Sequence, residues 1–205
     1  MLKMVFDYAV SLFVIIDPFV SLVILLSLLP QSNDENITHI ALKSSAAVFV
    51  GSAVCILLGG WLFQLFGIDI PSFKLMGGVV LLLLAIQMVQ AKISGTRYVE
   101  NEAAEARNKA DISISPLAIP GTLGPGTITT LLIYRSQSDF KHIVALFIAV
   151  LVNCVILFIV FINARLLERV LSKTTRNVFT RLMGLVVGAI AFQFILSGTK
   201  GLWMK

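Results

Sequence analysis

Asp17 is the one acidic residue in the middle of an apolar run, FVIIDPFVSLVILL at 13–26, and Pro18 follows it directly. A second stretch, IPGTLGPGTITTLL at 119–132, has no acid but holds Gly121, Thr122, Gly124, Pro125, Gly126 and Thr127. Proline removes a backbone donor and clashes with the carbonyl four residues earlier, and glycine is a poor helix former. Pro18 therefore frees the carbonyl of Val14, and Pro125 that of Gly121. Within a membrane, freed backbone groups persist only where protein or a water-lined cavity satisfies them. A carboxylate at such a point can hold a cation or an ammonium group, and bare N–H groups opening a helix can hold an anion such as a carboxylate.

Each residue also has a plainer role. Asp-Pro is a good N-cap followed by an N1 proline, and capping is compatible with binding. Gly121 and Gly124 suit close helix packing as well as they suit a ligand. Ser21 lies one turn past Asp17, and Asn153 is the only amide in the middle of the fifth apolar run. Polar residues of that kind more often bond to a neighbouring helix than to a substrate. The two interruptions nevertheless differ in polarity, one carboxylate against bare amides, and such a pair complements a zwitterion.

The elements that carry these residues follow from composition. The 205-residue chain is 58% hydrophobic and 13% charged, where soluble domains carry about 25% charged residues. Its mean hydropathy is +0.95. Runs near the ~20 residues that cross a bilayer occur at 5–29, 40–66, 70–91, 113–134, 142–164 and 178–199. An all-α membrane protein of six transmembrane helices is expected, in contact with lipid. The first run is too long for a signal-peptide core and lacks a small-residue cleavage site, so it is expected to stay. Cys55 and Cys154 lie inside apolar runs and read as packing residues.

Let side A be the side of the N-terminus. Six of the 16 Lys and Arg then fall on side A and ten on side B. The positive-inside rule puts side B in the cytoplasm and both termini outside. That rule accounts for the net charge of +5 without nucleic acid.

The hydrophilic segment 92–112 separates two similar halves, 1–91 and 113–205. KLMGGVV at 74–80 matches RLMGLVV at 181–187 in five of seven positions, and the same offset of 107 aligns Pro18 with Pro125. HIAL at 39–42 corresponds to HIVAL at 142–146, and AIQM at 85–88 to AFQF at 191–194. Matches in one order at nearly one offset indicate a duplication. Three spans per half make the second half enter from the opposite side, so two inverted 3+3 repeats are expected, each with a broken first helix. His39 and His142 then begin spans on opposite sides, and no metal site is expected.

DPF at 17–19, PLAIPGTLGPGTI at 116–128 and the C-terminal RLMGLVVGAIAFQFILSGTKGLWMK resemble the MarC family of small inner-membrane proteins, in its YhgN-like branch. The resemblance covers essentially the whole chain. In the family's first span a Gly follows two residues after the Pro, with a second Pro beyond. Here Val20 and Val23 stand in those places, which predicts a milder first interruption. The resemblance implies six spans, a kinship with LysE-type amino-acid exporters, and neutral amino acids as the solute of an archaeal relative.

A secondary transporter of small neutral amino acids is thus the leading expectation. Its candidate binding residues are Asp17, Pro18, Ser21, Gly121, Thr122, Gly124, Pro125, Gly126, Thr127 and Asn153. No cofactor is expected, with Na⁺ or proton coupling through Asp17 or the freed carbonyls. The alternatives are an ion or small-solute channel built on the same interruptions, or a membrane protein without transport activity. An intramembrane enzyme is not expected, because an aspartyl type needs a second membrane aspartate and a serine or cysteine type needs a base within the membrane. No nucleotide-binding loop is present. The small-residue faces suit a homo-oligomer and internal packing equally well.

Overall fold

The computed structural model describes residues 1–28, 35–90, 118, 122–136 and 139–203. Its helices are α1 (Leu2–Ile16), α2 (Pro18–Leu28), α3 (Glu35–Phe66), α4 (Ile70–Val89), α5 (Pro125–Arg135), α6 (Phe140–Ile162), α7 (Ala164–Val170) and α8 (Lys173–Trp203). There is no strand among the described residues. Among the described residues, five segments are long and apolar enough to cross a membrane: Leu2–Leu26, Ile37–Phe66, Ile70–Val89, Phe140–Ile162 and Thr174–Trp203. The remaining expected span, 113–134, is described in its second half as the 11-residue α5. At 1.5 Å per residue that helix is about 16 Å long, roughly half a hydrocarbon core. The hydrophilic segment 92–112 lies outside the described residues.

Local chemistry sets the helix limits. Gly67, at φ 60°, takes the left-handed turn that closes α3. Asp69 then caps α4 by accepting a hydrogen bond from Ser72 N at 3.3 Å, with a proline in the first turn. Because α1 carries buried residues on two faces, it sits at the centre. Leu12 and Ile16 join Leu22, Leu146, Ala149 and Leu157 in one apolar cluster. Val14 and Ile15 join Leu81, Ala85, Ile133, Val187 and Ala191 in another. The outer faces of α3, α6 and α8 expose Leu57, Trp61, Leu65, Leu151, Val155, Ile159, Leu182, Leu185 and Leu196. In water such a surface would aggregate; in a bilayer it meets a solvent of its own polarity. Cys55 and Cys154 are free.

Helices α4 and α8 run antiparallel in close contact, and glycine permits the approach. A Cβ on Gly78 would lie 2.8 Å from the carbonyl oxygen of Ala191 and 3.0 Å from Ile195 N. A Cβ on Gly184 would lie 3.1 Å from the carbonyl oxygen of Ala85 and 3.0 Å from Val89 N. The two contacts are reciprocal: 78 and 184, 85 and 191, and 89 and 195 each differ by 106. Because the obstructing atoms are backbone, a side chain here forces the helices apart. Gly78→Leu and Gly184→Leu are each expected to cost about 1–3 kcal/mol or more. Thermal unfolding in detergent would show the loss as a lower Tm.

Candidate functional site

The α1–α2 junction is built around one residue. Asp17 takes φ 43° and ψ 81°, and it is the only non-glycine residue with positive φ among those described. Aspartate tolerates this conformation because its short side chain can hydrogen-bond locally. Asp17 N closes α1 by donating to Phe13 O at 3.1 Å. Pro18 has no N–H for the Val14 carbonyl. The next two donors, Phe19 N and Val20 N, turn to Asp17 Oδ1 at 3.1 and 3.3 Å, so the Ile15 and Ile16 carbonyls lose their helical partners too. Ser21 N resumes the ladder on Asp17 O at 3.1 Å, while Ser21 Oγ donates to Ile16 O at 3.4 Å. Three successive helical bonds, those to the Val14, Ile15 and Ile16 carbonyls, are thus displaced.

The other carboxylate oxygen is what makes the junction chemically interesting. Asp17 is only 4% exposed, and its buried Oδ2 has no hydrogen-bond partner among the described residues. Thr180, buried on α8, lies beside the same carboxylate. Next to this group are the last carbonyls of α1, the negative end of that helix. A buried, unpaired carboxylate oxygen is costly. Such an oxygen can hold a cation or accept from an ammonium group.

The start of α5 has the opposite character. Its N-cap is Gly124, at φ −82° and ψ 178°, and no side chain caps the helix. Pro125 occupies the first helical position and is exposed, with Gly124 half-buried. The first intrahelical bond runs from Ile128 N to Gly124 O at 3.0 Å. The N–H groups of Gly126 and Thr127 precede it and have no intrahelical acceptor, as at any helix start. The hydroxyls turn to main chain: Thr127 Oγ1 donates to Thr122 O at 3.2 Å and Thr130 Oγ1 to Gly126 O at 2.8 Å.

The fold brings these two places together. Thr122 Oγ1 donates to Ser21 Oγ at 3.4 Å across 101 residues of sequence. A Cβ on Gly126 would lie 3.2 Å from Leu81, 3.4 Å from Leu84 and 3.6 Å from Ile15, the penultimate residue of α1. Asp17, Pro18, Ser21, Thr122, Gly124, Pro125, Gly126 and Thr127 thus belong to one neighbourhood. Gly121 lies outside the described residues.

Asn153 does not join them. Its Nδ2 donates to Ala9 O at 3.1 Å and to Ala149 O at 2.9 Å, which ties α6 to α1. Ala9 precedes Asp17 by eight residues, about 12 Å along the helix. Asn153→Leu is expected to lower stability by about 0.5–1.5 kcal/mol, the usual range for a hydrogen bond between membrane helices. Thermal unfolding beside an uptake assay would check this, with transport retained. Thr180 is the residue that sequence reasoning missed; one hydroxyl beside RLMG carries no signal of its own. No group of three or more His, Cys, Asp or Glu suited to a metal occurs among the described residues.

Long apolar helices packed around a buried, half-satisfied carboxylate define an integral, multi-pass membrane protein. The chain belongs to the MarC family of integral membrane proteins, whose sequence profile matches residues 2–203. It is 35% identical to the UPF0056 membrane protein of Aquifex aeolicus, over 94% of this chain and 90% of that one. Identity is 37% with the UPF0056 membrane protein MJ0972 of Methanocaldococcus jannaschii, over 95% and 86% of the two chains. With the UPF0056 membrane protein YhcE of Escherichia coli it is 28%, over 97% and 93%. No solved structure matches.

Proposed function

We propose that this protein is a secondary transporter of small neutral amino acids, working by alternating access around the Asp17 junction and the start of α5. The observation that carries the reading is the pairing of opposite polarities in one neighbourhood. Asp17 Oδ2 lacks a partner, α5 lacks a side-chain cap, and the Ser21–Thr122 hydrogen bond joins the two segments. A free amino acid offers an ammonium group to the first and a carboxylate to the second. Coupling to Na⁺ or protons would run through Asp17 or the displaced carbonyls of α1. The reciprocal contacts of Gly78 and Gly184 support two inverted 3+3 repeats, the design of many such carriers. We place the protein in the inner membrane with both termini outside, and assign it no enzymatic activity and no cofactor.

Counterflow tests the reading against its alternatives. Proteoliposomes loaded with unlabelled glycine should transiently accumulate labelled glycine above its equilibrium level, because a carrier exchanges solute one molecule at a time. A channel would only equilibrate the label. A membrane protein without transport activity would leave it outside.

A further inference from the structure

We infer that Tyr8 and Tyr134 form a gate that closes the N-terminal end of the bundle over the Asp17 junction and the start of α5. The inference rests on the transporter reading of those two segments. Their rings stack with centroids 4.5 Å apart and planes 28° from parallel. Tyr8 belongs to α1, which reaches Asp17 nine residues later, about 13 Å further along. Tyr134 belongs to α5, which leaves Thr127 seven residues earlier, about 10 Å back. The stack therefore joins, on one side of the proposed site, the two helices that meet there.

Contacts to other helices hold this pair in place. Tyr8 Oη shares a 2.7 Å hydrogen bond with His142 Nδ1 on α6. The Tyr134 ring meets the edge of Phe194 on α8 at 5.9 Å and 87°. Next in sequence, Arg135 Nε donates to Ile56 O on α3 at 2.8 Å. Gly59 leaves room there, since a Cβ on it would lie 2.7 Å from Leu132 and 3.5 Å from Arg135.

The chemistry of the cluster suits a seal that opens. Tyrosine and histidine present an apolar face and a polar tip. When closed, the Tyr8 and His142 tips satisfy each other and the rings exclude water. When open, the same tips take water without leaving an unpaired group. A seal of interdigitated leucines would expose only apolar area on opening. Alternating access requires α1 and α5 to separate at one end at a time, and the stack sits where that separation must occur.

Cysteine modification tests the gate without any transported solute. In a Cys55→Ala, Cys154→Ala background, Ser21→Cys reports access to the site. It would be treated with membrane-impermeant trimethylammonium-ethyl methanethiosulfonate in vesicles of each orientation. Modification from the N-terminal side should be slow in this parent and at least about tenfold faster with Tyr8→Ala or Tyr134→Ala, with the rate from the other side unchanged. Tyr8→Phe keeps the stack and loses the His142 bond, so it should give a smaller rise from the same side. Fast modification of the parent from the N-terminal side would overturn the gate. So would unchanged rates in both alanine variants, or a rise shared by both sides, as general loosening gives. If the alanine variants fail to fold, Tyr8→Phe and His142→Gln decide the matter by the same one-sided criterion. A negative result here removes the gate alone, whereas absent counterflow removes the transporter reading.

Discussion

Asp17→Asn is expected to fold and to lose amino-acid uptake by about a hundredfold. Asparagine tolerates the left-handed conformation that Asp17 adopts, and its side-chain oxygen can still accept from Phe19 N and Val20 N as Oδ1 does. What changes is the other atom. An NH₂ group replaces the unpartnered Oδ2 and sets donors against the ammonium group that the site is proposed to hold. Losing a charge-assisted hydrogen bond of about 1.5–3 kcal/mol, at about 1.4 kcal/mol per factor of ten, accounts for most of that loss. Asp17→Ala should fare worse in a second way, because it also removes the cap, a further loss of about 1 kcal/mol. Uptake by reconstituted protein, beside the Tm of each variant, separates the two effects: Asn keeps Tm near the parent value and Ala lowers it.

Gly124→Asp should act at the other pole, reducing uptake at least about tenfold without destabilising the protein. The backbone at Gly124, φ −82° and ψ 178°, is one that any residue adopts. An aspartate there would accept from the first free N–H groups of α5 and fill the position proposed for the substrate carboxylate. As an N-cap, aspartate exceeds glycine by only a few tenths of a kcal/mol, so Tm should hold or rise slightly. A variant that is at least as stable and yet impaired in transport is not what a packing defect produces. If uptake were unchanged, the anion-binding role of the α5 N-terminus would be wrong.

How much of this was legible in the sequence depends on how local the cause is. The junction at Asp17 is written in two adjacent residues: proline removes one donor, and aspartate draws away the next two. The open start of α5 is equally local, since no Ser, Thr, Asp or Asn stands at the N-cap before Pro125. Apolar length identified Ile37–Phe66 and Phe140–Ile162 as spans because a membrane imposes length and polarity on every segment that crosses it. The Ser21–Thr122 contact is not local, and only the proposed repeat hinted that the two segments meet. An amide in an apolar helix reads the same whether it faces a ligand or a carbonyl such as Ala9 O, so the contact that Asn153 makes was not legible. Thr180 and the Tyr8–Tyr134 stack gave no sequence signal, because a hydroxyl or a ring gains meaning only from what packs against it. The reciprocal glycine contacts follow the 106-residue spacing of AIQM and AFQF, one residue short of the KLMGGVV spacing. Contact geometry thus shifts the correspondence that residue identity suggested.

Carrier-mediated movement of a zwitterion is tested most directly by labelled glycine and alanine uptake into proteoliposomes under an imposed Na⁺ or proton gradient. Saturable uptake is expected, driven by one of the two gradients and lost in Asp17→Asn. Folded protein, inserted in both orientations, that takes up neither amino acid under either gradient would contradict it.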